Sequence, residues 1–208
     1  MRAVILSWEY PPRIVGKLAE YVSTLATDLV KSGVDTSIVT FNDSLTGTLE
    51  EPNGAKVTRV NNPVRSTINL LTWVLTLNQE VERAAANVFY KNQGEIDVLD
   101  VYDWHFIPAA VTIKKALGIP FVYSVDSLED HRSPGADSPL NMAIRGIEWL
   151  GLYEAMVATA KTEWMKNEII RLYTVPKKKI TIISPSAVSW AKDVIKVYAL
   201  ASGGPAEQ

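Results

Sequence analysis

The sequence predicts an α/β fold, a Rossmann-like doubly wound parallel sheet with helices on both faces. Three observations carry that expectation. Short apolar runs of strand length alternate with amphipathic stretches of helical length along nearly the whole chain. Glycines close two of the helical stretches, at Gly33 and Gly118, just where the apolar periodicity ends. The 208 residues, 47% hydrophobic and 21% charged, suit one large domain with an ordinary core.

In order, Arg2–Ser7 reads as a buried strand, followed by the Pro11-Pro12 turn. From Gly16 to Ser32, Leu18, Tyr21, Val22, Leu25, Leu29 and Val30 recur at helical spacing. Thr36–Phe41 and Lys56–Val60 are strands, separated by a polar Asn/Gly/Pro loop. A long helix is predicted from about Ser66 to Asn92, then a strand over Ile96–Tyr102 and a helix over Phe106–Leu117. Ile119–Val125 is a strand, and residues 126–137 a long functional loop. Ser138-Pro139 supplies a capping hydroxyl and a first-turn proline for a helix to about Gly151. Ala155–Ala160 is a strand, Glu163–Tyr173 a helix and Ile180–Ser184 the last strand. A final helix runs from Ser189 to about Ala201, with Trp190, Val194, Val197, Tyr198 and Ala201 on one face. The expected domain therefore covers residues 1–186, with a closing helix over 187–202 and a disordered tail over 203–208.

Composition excludes several functions. The net charge of −2, with no long run of one sign, offers no nucleic-acid or membrane surface. Without cysteine there is neither a disulfide frame nor a thiolate metal site. No His/Asp/Glu spacing suggests a metal, and no cofactor or phosphate-loop motif is present. No signal peptide or membrane span is visible, so a soluble, cytoplasmic chain is expected.

Ligands of such sheets bind outside the carboxyl ends of the strands, near the reversal of strand order. That singles out the loops 7–17, 102–106, 126–137, 161–163 and 184–188. Lys17 is either a solvated lysine or, if buried in an apolar cleft, a Schiff-base nucleophile. His105 reads as a hydrogen-bonded helix-start residue or a base. Asp126 caps a loop or contacts a ligand. Trp8, Trp104 and Trp164 pack in the core or stack on a sugar. The charged run Glu129–Arg132 reads as a solvated loop.

Several segments share more than fold character. Ser7-Trp8-Glu9-Tyr10-Pro11-Pro12, followed by Val15-Gly16-Lys17-Leu18, resembles the first strand and glycine loop of glycogen and starch synthases and related GT-B glycosyltransferases. Asp103-Trp104-His105 is similar to that family's Asp-Trp-His segment, and Lys161-Thr162-Glu163-Trp164-Met165 to its Ser-Glu-Trp helix start. Ser189-Trp190 with Tyr198 resembles the C-terminal helix that returns to the first domain. The resemblance implies one half of a GT-B fold, the N-terminal acceptor side. It places Gly16, Trp8, Tyr21, Asp100, Asp103, Trp104 and His105 at a small-molecule or glucan site. It further implies that glycine-loop N–H groups approach the nucleotide-sugar phosphates.

Two features depart from that family. Its donor-sugar domain would follow a strand like Ile180–Ser184, yet here the chain passes directly to the closing helix. In addition, Lys17 stands where glycine is usual, Tyr21, Asp100, Tyr102 and Asp126 where histidine is frequent, and Met156 where aspartate is common. The first reading is an acceptor-side half inactive in transfer alone. A second is a redesigned cleft with Lys17, Asp126 and Tyr102 as catalytic groups of a carbonyl enzyme. A third is a non-catalytic binding or folding module.

Overall fold

A computed structural model describes residues 1–203 other than 52, 65, 67, 68 and 188. The strands are β1 (Arg2–Ser7), β2 (Asp35–Phe41), β3 (Gly47–Glu50), β4 (Lys56–Val60), β5 (Val98–Tyr102), β6 (Phe121–Val125), β7 (Val157–Ala160) and β8 (Ile180–Ile182). They form one sheet in the order β3-β4-β2-β1-β5-β6-β7-β8, parallel except for β3. The helices are α1 (Lys17–Lys31), α2 (Leu70–Lys91), α3 (Ile107–Leu117), α4 (Glu129–Arg132), α5 (Pro139–Glu154), α6 (Glu163–Tyr173) and α7 (Trp190–Ala201). This is the doubly wound α/β fold that the sequence predicts. No described helix is long and apolar enough to cross a membrane.

Three local readings change. The polar stretch after β2 contains β3, which pairs antiparallel with β4 and carries the cross-strand contact Thr48–Thr58. A strand with polar side chains at a sheet edge has no hydrophobic alternation to reveal it. The loop 126–137 contains α4, and α5 continues through Gly151 to Glu154. Gly151 lies inside the helix, where an added Cβ would be 2.7 Å from the Ile107 Cδ1 atom. It is a close-packing glycine, not a stop. The expected tail falls, apart from Gly203, outside the described residues.

Capping matches the local sequence. Asn69 accepts the Thr72 N–H at 2.9 Å, and Thr162 accepts the Met165 N–H at 3.1 Å. Gly118 closes α3 at φ +73°, a conformation glycine adopts without the Cβ clash.

The two faces of the sheet are covered differently. From β1 the chain steps to β2 on one side, whereas β4–α2–β5 and the later units step to the other. Crossovers of one hand then place α1 on one face and α2, α3, α5 and α6 on the opposite face. Buried Leu77, Ile113, Leu152 and Ile169 belong to the four-helix side. Leu25, Val194 and Val197 belong to the other. There α7 supplies Trp190, Ala191, Val194, Val197, Tyr198 and Ala201 as buried residues, packing against α1, β6 and β7.

On the α1/α7 face, sheet register aligns two rows near the carboxyl ends. The outer row reads Arg59, Thr40, Ser7, Tyr102, Ser124, Thr159, Thr181 across seven strands, entirely polar or phenolic. The row beneath it reads Val57, Ile38, Ile5, Asp100, Val122, Val157, so one carboxylate interrupts five aliphatic residues.

Candidate functional site

Strand order reverses between β1 and β5, so the loops leaving these two strands flank the natural ligand crevice. Their aromatic residues form a column. Trp8 stacks on Phe41 at 5.5 Å and on His105 at 4.4 Å, and His105 stacks in turn on Trp104 at 4.3 Å. Trp73 meets both Trp8 and Phe41 edge-on. Both faces of Trp8 are therefore occupied, and Trp104 is buried. Of the two readings open for these residues, packing or sugar stacking, packing is the one found: they build the floor. Trp164 is 60% exposed on α6, beside His131.

Beside the column lies a cleft of about 630 Å³, with Trp8, Trp73, Arg13, Asp43 and Asn61 among its lining residues. The Arg13 guanidinium sits 4.8 Å from the Trp8 and Phe41 ring centres and donates to the Trp8 carbonyl at 3.1 Å. Burial lowers its pKa, against the pull of Asp43 and Glu9. Asn62 is committed to the scaffold, donating to the Trp73 carbonyl and accepting the Val64 N–H. The cleft thus presents an aromatic wall, one cation, one carboxylate and the Asn61 amide, which donates to the Asp43 carbonyl at 3.5 Å, a set suited to a polyhydroxylated ligand.

His105 is the neutral member of this site. Burial between the two indoles, then Arg132 and Arg13, pull its pKa down to about 3. Its Nδ1 is buried without a partner among the described residues.

The glycine loop is closed on itself. Val15 and Gly16 N–H groups donate to the buried Glu9 carboxylate at 2.5 and 2.7 Å. These are donors that the resemblance assigns to a nucleotide-sugar phosphate, and here a side chain of the same loop holds them. Lys17 begins α1 in an exposed position. The apolar burial that a Schiff-base lysine requires is absent around it.

Asp103 leaves β5 at φ +60°, a conformation rarely adopted by a non-glycine residue. Its carboxylate accepts the Ser127 hydroxyl at 3.0 Å, and Arg132 lies 3.7 Å away. Arg132 also bonds Glu129 at 3.1 Å and the fully buried Glu148 at 2.6 Å. Burial raises the Asp103 pKa to about 7, with Arg132 opposing and Asp126 adding to the rise. The charged run Glu129–Arg132, expected to be solvated, is an anchor that ties the 126–137 segment to β5 and α5.

Tyr21, Asp100 and Tyr102 come together beneath α7 and not in an open cleft, while Asp126 lies at the rim, paired with Lys161. Asp100 accepts the Ser124 hydroxyl and the Tyr198 phenol, both at 2.6 Å. Tyr21 packs on Tyr102 at 5.7 Å and on Trp190 at 5.1 Å. Lys161 pairs with Asp126 and lies 4.4 Å from the centre of the Tyr21 ring. Two cavities of about 10 Å³ each remain here, room for a water molecule and no substrate. The expectation of one redesigned cleft fails because the side chains of α7 fill it. Burial raises the pKa values of Tyr21 and Tyr102, so neither is poised to give up a proton near neutrality.

Comparison with known proteins now bears on this geometry. The model of the family described as Glycosyltransferase Family 4 matches residues 18–186. The chain belongs to glycosyltransferase family 4. Within that setting it is 31% identical over 196 residues to an uncharacterized glycosyltransferase of Methanocaldococcus jannaschii, covering 93% of this chain and 48% of that protein. It is 26% identical to the glycogen synthase of Mycobacterium tuberculosis, covering 88% of this chain and 47% of that one. The chain spans about half the length of the curated relatives it matches. A solved piece of sucrose-phosphate synthase from Thermosynechococcus elongatus, named with the numbers 27_220_406_426, superposes at TM-score 0.69 and 11% identity over 98% of both chains. The family 4 assignment bears out the resemblance to GT-B glycosyltransferases.

Arg13, Phe41, Asp43, Asn61 and Trp73 were not singled out in the sequence. The one available signal was Asn61-Asn62-Pro63, a polar turn directly after a strand.

Proposed function

We propose that residues 1–208 are an acceptor-side half of a family 4 glycosyltransferase, carrying its returning helix and dependent on a donor-binding half for transfer. The observation that carries this is the match, over 98% of both chains, to the sucrose-phosphate synthase piece numbered 27_220_406_426. We read those numbers as two spans, a first domain and a short late segment. The direct passage from β8 to α7 fits the same plan.

In this reading the cleft beside Trp8, Trp73 and Arg13 receives a sugar or glucan acceptor. The donor half holds the nucleotide sugar. Transfer depends on holding both reactants in line, so one half alone loses most of the rate. Glu9 supports the same view, since it occupies the loop donors that would otherwise face a phosphate.

The test is incorporation of labelled glucose from UDP- or ADP-glucose into glycogen by the purified chain. No transfer is expected, while maltooligosaccharide should quench the fluorescence of the Trp8/Trp73 cluster. Robust turnover by residues 1–208 alone would overturn the proposal.

A further inference from the structure

We propose that α7 is a pH-governed latch, seated most firmly on the sheet in acid and loosened as Asp100 loses its proton beneath it. The inference goes beyond the acceptor-half reading and does not depend on it.

The placement of Asp100 carries the argument. It occupies the middle of the row Val57, Ile38, Ile5, Asp100, Val122, Val157, between Ile5 of β1 and Val122 of β6. It is 1% exposed. Its hydrogen-bond donors are neutral hydroxyls, Ser124 from β6 and Tyr198 from α7. The titratable groups facing it are Tyr198 from α7, Tyr21 from α1 and Tyr102 from its own strand, and none is cationic. The one lysine of the neighbourhood, Lys161, is paired with Asp126 at the rim. Among the described residues, no cation pairs with the Asp100 carboxylate.

A buried carboxylate without a counter-ion favours its protonated form. The small cavity beside Asp100 has room for one water molecule, and bulk water can reach the carboxylate only if something moves. Five of the six residues in its row belong to other strands of the sheet, whose ladders hold them. The cover from outside the sheet is α7, which has no ladder to hold it and lies over Asp100 through Tyr198, Val194 and Val197. Ionisation and undocking are therefore linked.

The sign follows from proton binding. With α7 seated, burial lifts the Asp100 pKa from 3.8 to about 6. With α7 lifted, the group is wetted and returns toward its ordinary value. The seated state then binds more protons between these values, so docking weakens as pH rises through that window. It is fully present only below the ordinary value of 3.8 and levels off above pH 6. The docking equilibrium changes by about 100-fold, tenfold per pH unit over two units.

Amide hydrogen exchange of the intact chain between pH 4 and pH 8, corrected for intrinsic rates, tests the latch. Protection of α7 amides should fall about 100-fold from pH 4 to pH 7, with α3 amides unchanged. Asp100→Asn should keep α7 protected across the whole range. Tyr198→Phe removes one donor from the carboxylate and should move the window to higher pH. A pH-independent α7 in the parent protein, the same slope in Asp100→Asn, or α3 amides falling in step with α7 would each overturn the proposal.

Discussion

The two faces of the sheet solve one packing problem by different means. On one face α2, α3, α5 and α6 follow one another in chain order, each delivered by the crossover it belongs to. On the other, α1 covers one side and the segment over β6 and β7 is closed by α7, from the far end of the sequence. Crossovers of one hand cannot place a helix there while the chain steps from β5 to β8. The first face is shared among four helices and has buried polar ties of its own, Glu148 of α5 to Arg132 at 2.6 Å and Asn78 of α2 to the His105 carbonyl at 2.9 Å. Over β6 and β7 the second face depends on α7 alone, and the contacts of that helix are specific: Tyr198 on Asp100, and the Trp190 indole N–H on Asp28 at 3.1 Å. A polar contact adds little net stability when made but costs more when broken, so it selects one seating for α7.

The largest effect that tests this difference is truncation before Ser189. It bares the strip around Val122, Val157 and Ile183 and removes several buried side chains worth roughly 1.5–3 kcal/mol each. The shortened chain should be insoluble or lack a cooperative melt. An unchanged melting curve would mean that α7 adds nothing to the second face.

Tyr198→Ala should cost about 3–5 kcal/mol, because it leaves a cavity and strips a donor from Asp100. Denaturant unfolding measures this. On the four-helix face, Gly151→Ala sharpens the comparison. The new methyl would lie 2.7 Å from Ile107 and 3.0 Å from Tyr123, an overpacking cost of about 1–3 kcal/mol.

Asp100→Asn should stabilise the protein above pH 6 by about 2–3 kcal/mol, in proportion to the rise of the Asp100 pKa from 3.8 to about 6. At about pH 3 and below the two proteins should melt alike, since Asp100, with its ordinary value of 3.8, is then largely protonated in both folded and unfolded states. Equal stabilities at pH 8 would remove the charge from the account of this face.

The smallest expected effect on stability is at the cleft. Arg13→Ala should change the melting free energy by about 1 kcal/mol or less, as for a partly exposed cation. It should nevertheless weaken maltooligosaccharide binding about tenfold, a loss of 1.4 kcal/mol. Isothermal titration reads that loss, and unchanged binding would separate Arg13 from the cleft's ligand.

The candidate site was legible only in parts. Trp8, Asp103 and His105 stand next to strand ends and glycine or proline turns, so local sequence placed them near the crevice. Their roles were not local. Trp8 needed Phe41 and His105 on its two faces before it became a floor. Lys17 was open to two readings, a solvated lysine or a cleft nucleophile; exposure is decided by what packs against a helix start, and Lys17 is exposed. Glu129 and Arg132 looked like a solvated run until Glu148, distant in sequence, drew Arg132 inward.

By itself the sequence determined the alternation of strands and helices, the cap at Ser138 and the apolar stripe of α7. These depend on spacing, propensity and hydrogen bonds within a few residues. Only the tertiary structure decided the edge strand β3, the strand order, and the rows that set Asp100 among aliphatic neighbours. Those follow from register between strands tens of residues apart and from the handedness of their crossovers, where a shift of one residue would turn each side chain to the other face.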